Sequence, residues 1–211
     1  MFASNVDFIK HCLDYLSIPY EEPFTEIDYN QKIFIPLFKE ALLECQKLVD
    51  FSGMRKELVI KLPAGSNYVF LDKDVKYLQA VIDYQTKTEL PGYIYSQITS
   101  DFQEGPPTAY YFDDNSGKLY FNHRADKDYK YYVIYYKFDL TSDPHFILNE
   151  APELLKVMFM GKLYLYVGEI DKWIGCVQYS QDLAKLQRGL EKQKEMVKTT
   201  IKINWNYTGW W

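Results

Sequence analysis

Histidine, cysteine and closely paired acidic residues are the side chains through which a chain of 211 residues could do chemistry, and this one holds only three histidines and three cysteines. His11 and Cys12 are neighbours in a segment with helical spacing. Successive helical residues point in different directions, so the two form neither a metal site nor a nucleophile and base. His123 and His145 stand alone and read as surface or packing histidines. Asp113-Asp114 looks like a carboxylate pair, yet it opens the run Asp-Asn-Ser-Gly, where aspartate serves the turn. The sequence has no Gly-rich phosphate loop, no GxSxG, no HExxH, no CxxC and no EF-hand loop. The expectation is a protein without catalytic residues, cofactor or metal, and not an enzyme.

Aromatic residues carry the stronger signal. Twenty tyrosines, thirteen phenylalanines and four tryptophans make 18% of the chain, more than a core of this size needs. Ten of the tyrosines lie between Tyr93 and Tyr136, several side by side, as in Tyr110-Tyr111 and Tyr135-Tyr136. Adjacent residues on a strand face opposite ways, so part of this set points outward. Such a face suits protein contact, or glycan stacking in a carbohydrate-binding module, the alternative function. A second concentration closes the chain, with Trp205, Tyr207, Trp210 and Trp211 in seven residues. That tail, 198–211, reads as weakly ordered alone and stabilised once another surface covers it.

The elements that must position these residues follow from period and punctuation. Ser4 with Asp7 starts a first helix that Pro19 stops, and Pro19 to Asn30, with two prolines and four acidic residues, reads as a surface connection. A second amphipathic helix runs from Gln31 to about Val49. The period then changes to two, and seven short strands are expected: 57–62, 68–71, 75–83, 93–98, 108–112, 118–122 and 130–138. Beyond Pro144 helices return, the first over 154–167 and apolar on nearly every face, the second from Asp171 to about Val197. In that last helix Trp173, Val177, Leu183, Leu186 and Leu190 read as inside, with Lys185, Arg188, Lys192 and Lys194 outside. The order predicts an α+β fold: a helical bundle with an inserted antiparallel β-sandwich or barrel-like domain. The expected parts are N-terminal bundle helices (1–56), the β domain (57–150), C-terminal bundle helices (151–197) and an aromatic docking tail (198–211).

Charge and cysteine usage exclude several classes. Residues 1–56 carry 6 basic and 9 acidic side chains (net -3), 57–150 carry 9 and 14 (net -5), and 151–211 carry 9 and 6 (net +3). An acidic whole is a poor phosphate binder. Cys12, Cys45 and Cys176 are odd in number and far apart, a reduced pattern without a disulfide framework. No apolar run reaches the length of a membrane span and the start lacks a signal-peptide pattern, so neither secretion nor membrane association is expected.

Three strings, LPGYIYSQITSDF (90–102), PPTAYYFDDNSGKLYFNHRADKDYKYYVIYYKF (106–138) and NEAPELLKVMFMGKLYLYVGE (149–169), with Pro144 and a last helix containing Trp173, resemble the head-to-tail adaptor proteins of short-tailed bacteriophages. This is the tail tubular protein A or connector-like family, and the likeness spans about residues 58–196. It implies a structural virion protein at the portal-tail junction, made in the bacterial cytoplasm. A homo-oligomeric ring, commonly of twelve subunits, would bind the portal protein on one side and a downstream tail or nozzle protein on the other. DNA would pass through without sequence-specific binding, which an acidic average suits. On this likeness Trp205, Tyr207, Trp210 and Trp211 are the expected portal-docking residues, and Leu154, Met158, Tyr164 and Trp173 the expected subunit interface.

Overall fold

The computed structural model describes residues 2–20, 24, 29–93 and 103–205, and only the backbone of 29–31 and 195–205. The fold is α+β, and the chain divides into two compact units, Met1–Gly53 with Leu140–Trp211, and Met54–Asp139. The second is an insertion in the sequence of the first. Its boundary falls earlier than the expected 150, because residues 140–150 pack with the helices. There Asn5 binds the returning chain, its Nδ2 donating to the Ser142 carbonyl (2.8 Å) and its Oδ1 accepting from the His145 amide (2.9 Å).

The helical unit holds α1 (Asn5–Tyr15), α2 (Tyr29–Leu48), α3 (Ile147–Glu150), α4 (Pro152–Tyr166) and α5 (Ile170–Trp205). The Ser4 hydroxyl caps α1 by accepting from the Asp7 amide. Pro152 opens α4, where a missing N–H costs nothing. Phe8, Phe38 and Phe159 of α1, α2 and α4 stack edge-on or tilted at 5.6–6.3 Å between centroids. α4 is the centre of the unit: α2 and α5 each pack along it, whereas no comparable packing joins α2 to α5. Leu154, Leu155, Phe159, Met160 and Leu163 are accordingly all buried. Its one lysine on the α2 side, Lys162, binds Glu44 (2.5 Å) and Glu40 (3.5 Å). α5 runs back along α4 after a turn at Gly168, whose φ of +83° is the left-handed conformation glycine tolerates.

The inserted unit contains two three-stranded antiparallel sheets. β1 (Arg55–Leu62), β6 (Tyr129–Lys137) and β3 (Val75–Asp83) make one, in the order β1-β6-β3. β2 (Tyr68–Phe70), β5 (Lys118–Phe121) and β4 (Tyr110–Asp113) make the other, in the order β2-β5-β4. One apolar cluster draws on both, with Ile60, Leu62, Val81, Tyr131 and Val133 from the first and Leu119 and Phe121 from the second. Alternation along β6 sends Tyr131, Val133 and Tyr135 into it, and Tyr131 stacks on Phe121 at 4.7 Å. No closed barrel forms among the described residues.

Six of the seven expected strands are present within two residues of their expected limits. Most of the 93–98 strand falls outside the described residues, Tyr93 excepted. The last helix continues to Trp205, eight residues past the expected end, so 198–205 are helical and not extended. Residues with alternating β-branched character can continue a helix already nucleated, since propagation costs far less than initiation.

Candidate functional site

The side chains with chemical potential are dispersed and occupied. His145 is fully buried and its Nδ1 accepts (3.2 Å) from the amide of Ile147, the first residue of α3. His123 Nδ1 lies 2.9 Å from the Pro106 carbonyl, and His11 is exposed. Asp113 serves its hairpin: its carboxylate accepts from the Asn115 amide (3.1 Å) and the Ser116 hydroxyl (2.5 Å). The Ser116 hydroxyl bond, first among these, holds the carboxyl below the usual aspartate range. Burial pushes the Cys12 thiol up to about 12 and the Cys45 thiol higher still, so both are protonated packing groups. Among the described residues no three His, Cys, Asp or Glu gather as a metal site.

What the structure leaves uncovered among the described residues is apolar surface in both units, and in the helical unit most of its large exposed side chains are on α5. The stripe this helix turns to α4 holds Ser180, Ala184, Gln187 and Glu191, all buried. The physical reason is the closeness of the two helices: a Cβ at Gly161 of α4 would stand 3.1 Å from Cys176 Cβ. Small residues fit there, and further along the polar groups are satisfied locally. Gln187 Nε2 donates to the Glu150 carbonyl (3.2 Å) and to Glu191 Oε1 (3.0 Å), and Lys194 Nζ reaches the same oxygen (2.6 Å).

The leucines of α5 therefore lie elsewhere. Tyr179, Leu183, Leu186 and Leu190 recur at spacings of four, three and four, a coiled-coil-like seam centred about 100° round the helix from the buried stripe. Tyr179 is 56% exposed, Leu186 68% and Leu190 52%. This corrects the expectation that Val177, Leu186 and Leu190 face inward; the amphipathic pattern is real, but the stripe with the leucines is not the one that meets α4. The helix also continues past the start of α4. Gln187 is level with the start of α4, and 18 further residues of α5, about 27 Å, follow it.

Two grooves of the helical unit add to this surface. One, of about 610 Å³, runs along α2 and is lined by Ile35, Pro36, Leu43 and Leu140 with the charged Lys32, Lys39 and Glu40. By helical spacing this side of α2 is turned away from Phe34, Phe38, Ala41 and Leu42, which are buried. The other, of about 710 Å³, involves Tyr15, Phe34, Tyr164, Tyr166 and Val167. Cations lie over its tyrosines, Lys156 at 5.0 Å from the Tyr15 ring and Lys172 at 5.4 Å from Tyr164.

In the inserted unit the outward tyrosines form a row. Tyr68, Tyr120 and Tyr111 stand side by side across β2, β5 and β4, with ring centroids 5.8 and 6.4 Å apart. Phe70 next to them is 65% exposed, and Lys118 Nζ sits 4.8 Å over Tyr68.

Of the residues expected at a subunit interface, Leu154 is 2% exposed and spent on the unit's own core, a correction that follows from α4 being the central helix. Met158 and Trp173 are half-buried and line a small cavity between α4 and α5 with Gly161 and Cys176. Tyr164 belongs to the Tyr15 groove. Trp205 ends α5, its side chain outside the described residues, and Tyr207, Trp210 and Trp211 lie outside them altogether. Sequence reading missed the α2 groove, for which the exposed Pro36 inside a helix was the available signal, and the α5 seam, for which the four-three-four spacing was.

No protein-family model matches the chain, and no curated protein matches it either.

Proposed function

We propose that the protein is a structural, non-enzymatic subunit of a head-to-tail adaptor ring in a short-tailed bacteriophage, binding the portal and extending the DNA channel towards the tail. The observation that carries this reading is the α5 seam, leucine-rich, exposed, and set on a helix that continues past the start of α4. A monomer has no use for such a helix, whereas a subunit that completes its burial with neighbours needs one. In this reading the helical unit is a bundle that forms the ring wall. The two sheets act as an open sandwich or barrel-like module directed at the next tail component, and Trp205, Tyr207, Trp210 and Trp211 anchor in the portal. The acidic composition, net -5, keeps passing DNA from adhering.

Co-sedimentation with the cognate portal tests the reading. The full chain is expected to bind and give annular particles by electron microscopy. Deleting 198–211, or the milder Trp210→Ala with Trp211→Ala, is expected to abolish binding while the circular dichroism per residue stays nearly constant. Undiminished binding by the deletion rejects the anchor, and a full chain that neither binds the portal nor forms rings rejects the function.

The Tyr68-Tyr120-Tyr111 row with exposed Phe70 favours a second reading, a carbohydrate-binding module whose rings stack on sugars. Glycan-array binding by the full chain that is lost in Phe70→Ala with Tyr68→Ala supports it over the adaptor.

A further inference from the structure

We infer that β1 is a pairing edge for a second copy of this chain: two β1 strands join antiparallel about Val59 and merge the β1-β6-β3 sheets of both copies into one. The inference stands apart from the α5 seam and from the adaptor reading.

β1 is the end strand of its sheet, with β6 on one side and, among the described residues, no strand on the other. The far end of the sheet is partly closed. There the Leu90 amide donates to the Val81 carbonyl (2.8 Å) and the Asp83 amide to the Thr88 carbonyl (2.9 Å), which covers the second half of β3. The side chains of β1 show its edge to be open. Leu58 alternates with Ile60 and Leu62, both buried in the shared apolar cluster, yet it is 43% exposed. Val59, on the other face, is 49% exposed. Both stand at the rim of the sheet, where one more strand would cover them.

Charge selects the occupant and the register. Arg55, Lys56, Glu57 and Lys61 are side chains of the kind that keep an edge strand from pairing indiscriminately. Opposite residues of an antiparallel pair share a face, and a two-fold axis keeps each side chain on its own face, so identical strands pair about one residue. Pairing about Glu57 sets that carboxylate against its own copy, and pairing about Leu58 sets Arg55 against Lys61. Pairing about Ile60 opposes no charges of unlike sign. Parallel, in-register pairing opposes each charge to itself. Pairing about Val59 alone sets Glu57 against Lys61 of the second copy, twice, and Leu58 against Ile60 on the inner face. Within one copy Glu57 binds Arg55 and the Tyr132 hydroxyl, and Lys61 binds Asp128. The joined edge therefore runs Arg55, Glu57, then Lys61 and Asp128 of the second copy, alternating in sign. A contact of like surfaces stops at two copies, so it adds a two-fold axis to whatever the helical unit builds.

Charge exchange on the full chain tests the inference, in a background of Leu186→Asp with Leu190→Asp that silences the α5 seam. Sedimentation equilibrium is expected to show the background chain as a dimer that dissociates on dilution. Glu57→Lys and Lys61→Glu each set like charges opposite in two places, and each alone should dimerise at least about tenfold more weakly. Mixed in equal amounts, the two single variants should pair with each other, because each reversed charge then faces an opposite one. One chain bearing both changes should dimerise like the background. Both positions are exposed, so circular dichroism should be unchanged. The gap between single variants and background should narrow as salt rises.

Cross-linking reads the register directly. In a Cys176→Ser chain, Val59→Cys copies should form a disulfide with each other under a mild oxidant, since opposite Cβ atoms lie about 5 Å apart. Lys56→Cys copies should not, being offset by six residue steps, about 20 Å. A background chain monomeric at about 1 mM leaves the edge to a strand of another protein and overturns the inference. Single variants that dimerise like the background, a mixture or double variant that fails to recover, or a disulfide through Lys56→Cys in place of Val59→Cys overturns it as well. None of these outcomes bears on the adaptor reading, which is tested by portal binding.

Discussion

Gly161→Ala and Gly175→Ala are the same chemical change on two helices that pack together, and the structure gives them opposite signs. A methyl group at position 175 meets nothing within 4 Å. Replacing an exposed helical glycine removes conformational freedom from the unfolded chain and gains about 0.5–1 kcal/mol. At position 161 the same gain applies, but the new Cβ stands 3.1 Å from Cys176 Cβ and 3.8 Å from Trp173 Cδ1. The first contact is tighter than most real Cβ contacts and belongs to a helix that cannot yield alone, so overpacking of about 1–3 kcal/mol opposes the gain. The expected result is a stabilised Gly175→Ala and a Gly161→Ala that is neutral to about 2 kcal/mol less stable. Urea unfolding followed by tryptophan emission is the suitable assay, since all four tryptophans belong to the helical unit and the inserted unit contributes none. Comparison at one protein concentration keeps association from contributing to the difference. A Gly161→Ala chain as stabilised as Gly175→Ala would refute the close approach of α4 and α5, and with it the reason given for the small and polar residues on the buried stripe of α5.

Tyr131→Phe should be neutral or raise stability by about 1 kcal/mol in thermal unfolding, because its buried hydroxyl has no hydrogen-bond partner among the described residues. Phe159→Ala should cost about 3–5 kcal/mol, since the ring is fully buried between Phe8 and Phe38; a loss under 1 kcal/mol would deny α4 its central place. Asp72 accepts from Lys137 Nζ (2.9 Å) and the Tyr135 hydroxyl (3.2 Å), and the Lys137 bond, the larger cause, holds its carboxyl below 3.8. A lowered carboxyl pKa stabilises above the unfolded value and loses that contribution as pH falls through the folded one. Unfolding of Asp72→Asn should therefore depend less steeply on pH below about 4 than the wild type does. Lys162 carries the reverse sign: burial draws its pKa down, the Glu44 and Glu40 carboxylates outweigh that, and the result is raised above 10.5. Its contribution is complete below 10.5 and lost at higher pH, so Lys162→Met should flatten the alkaline limb of the stability curve.

The order of elements was legible because each rests on local physics. Ser4 caps a helix wherever it sits, Pro152 suits a first turn, and alternation along Tyr129–Lys137 writes a strand with one face inward. The carboxylates Asp113 and Asp114 were legible as a turn for the same reason, since the hydrogen bonds that define it lie within four residues. Residue types alone also showed that α4, apolar on nearly every side, had to be covered on most of them, but not that its own unit would do the covering.

Which stripe of α5 is buried was a matter for the tertiary structure. Sequence shows that the helix has a leucine seam, and amphipathicity by itself points that seam at the nearest core. The choice instead fell to a contact between residues fifteen apart in the chain, Gly161 and Cys176, where two backbones come too near for leucine. Packing space is a property of pairs of elements, and one helix read alone does not contain it. The same holds for the α2 groove, made from one helix and from Leu140 about a hundred residues later. Sequence fixes what each segment can offer; only the fold determines which offers are taken up inside and which remain on the surface for another molecule.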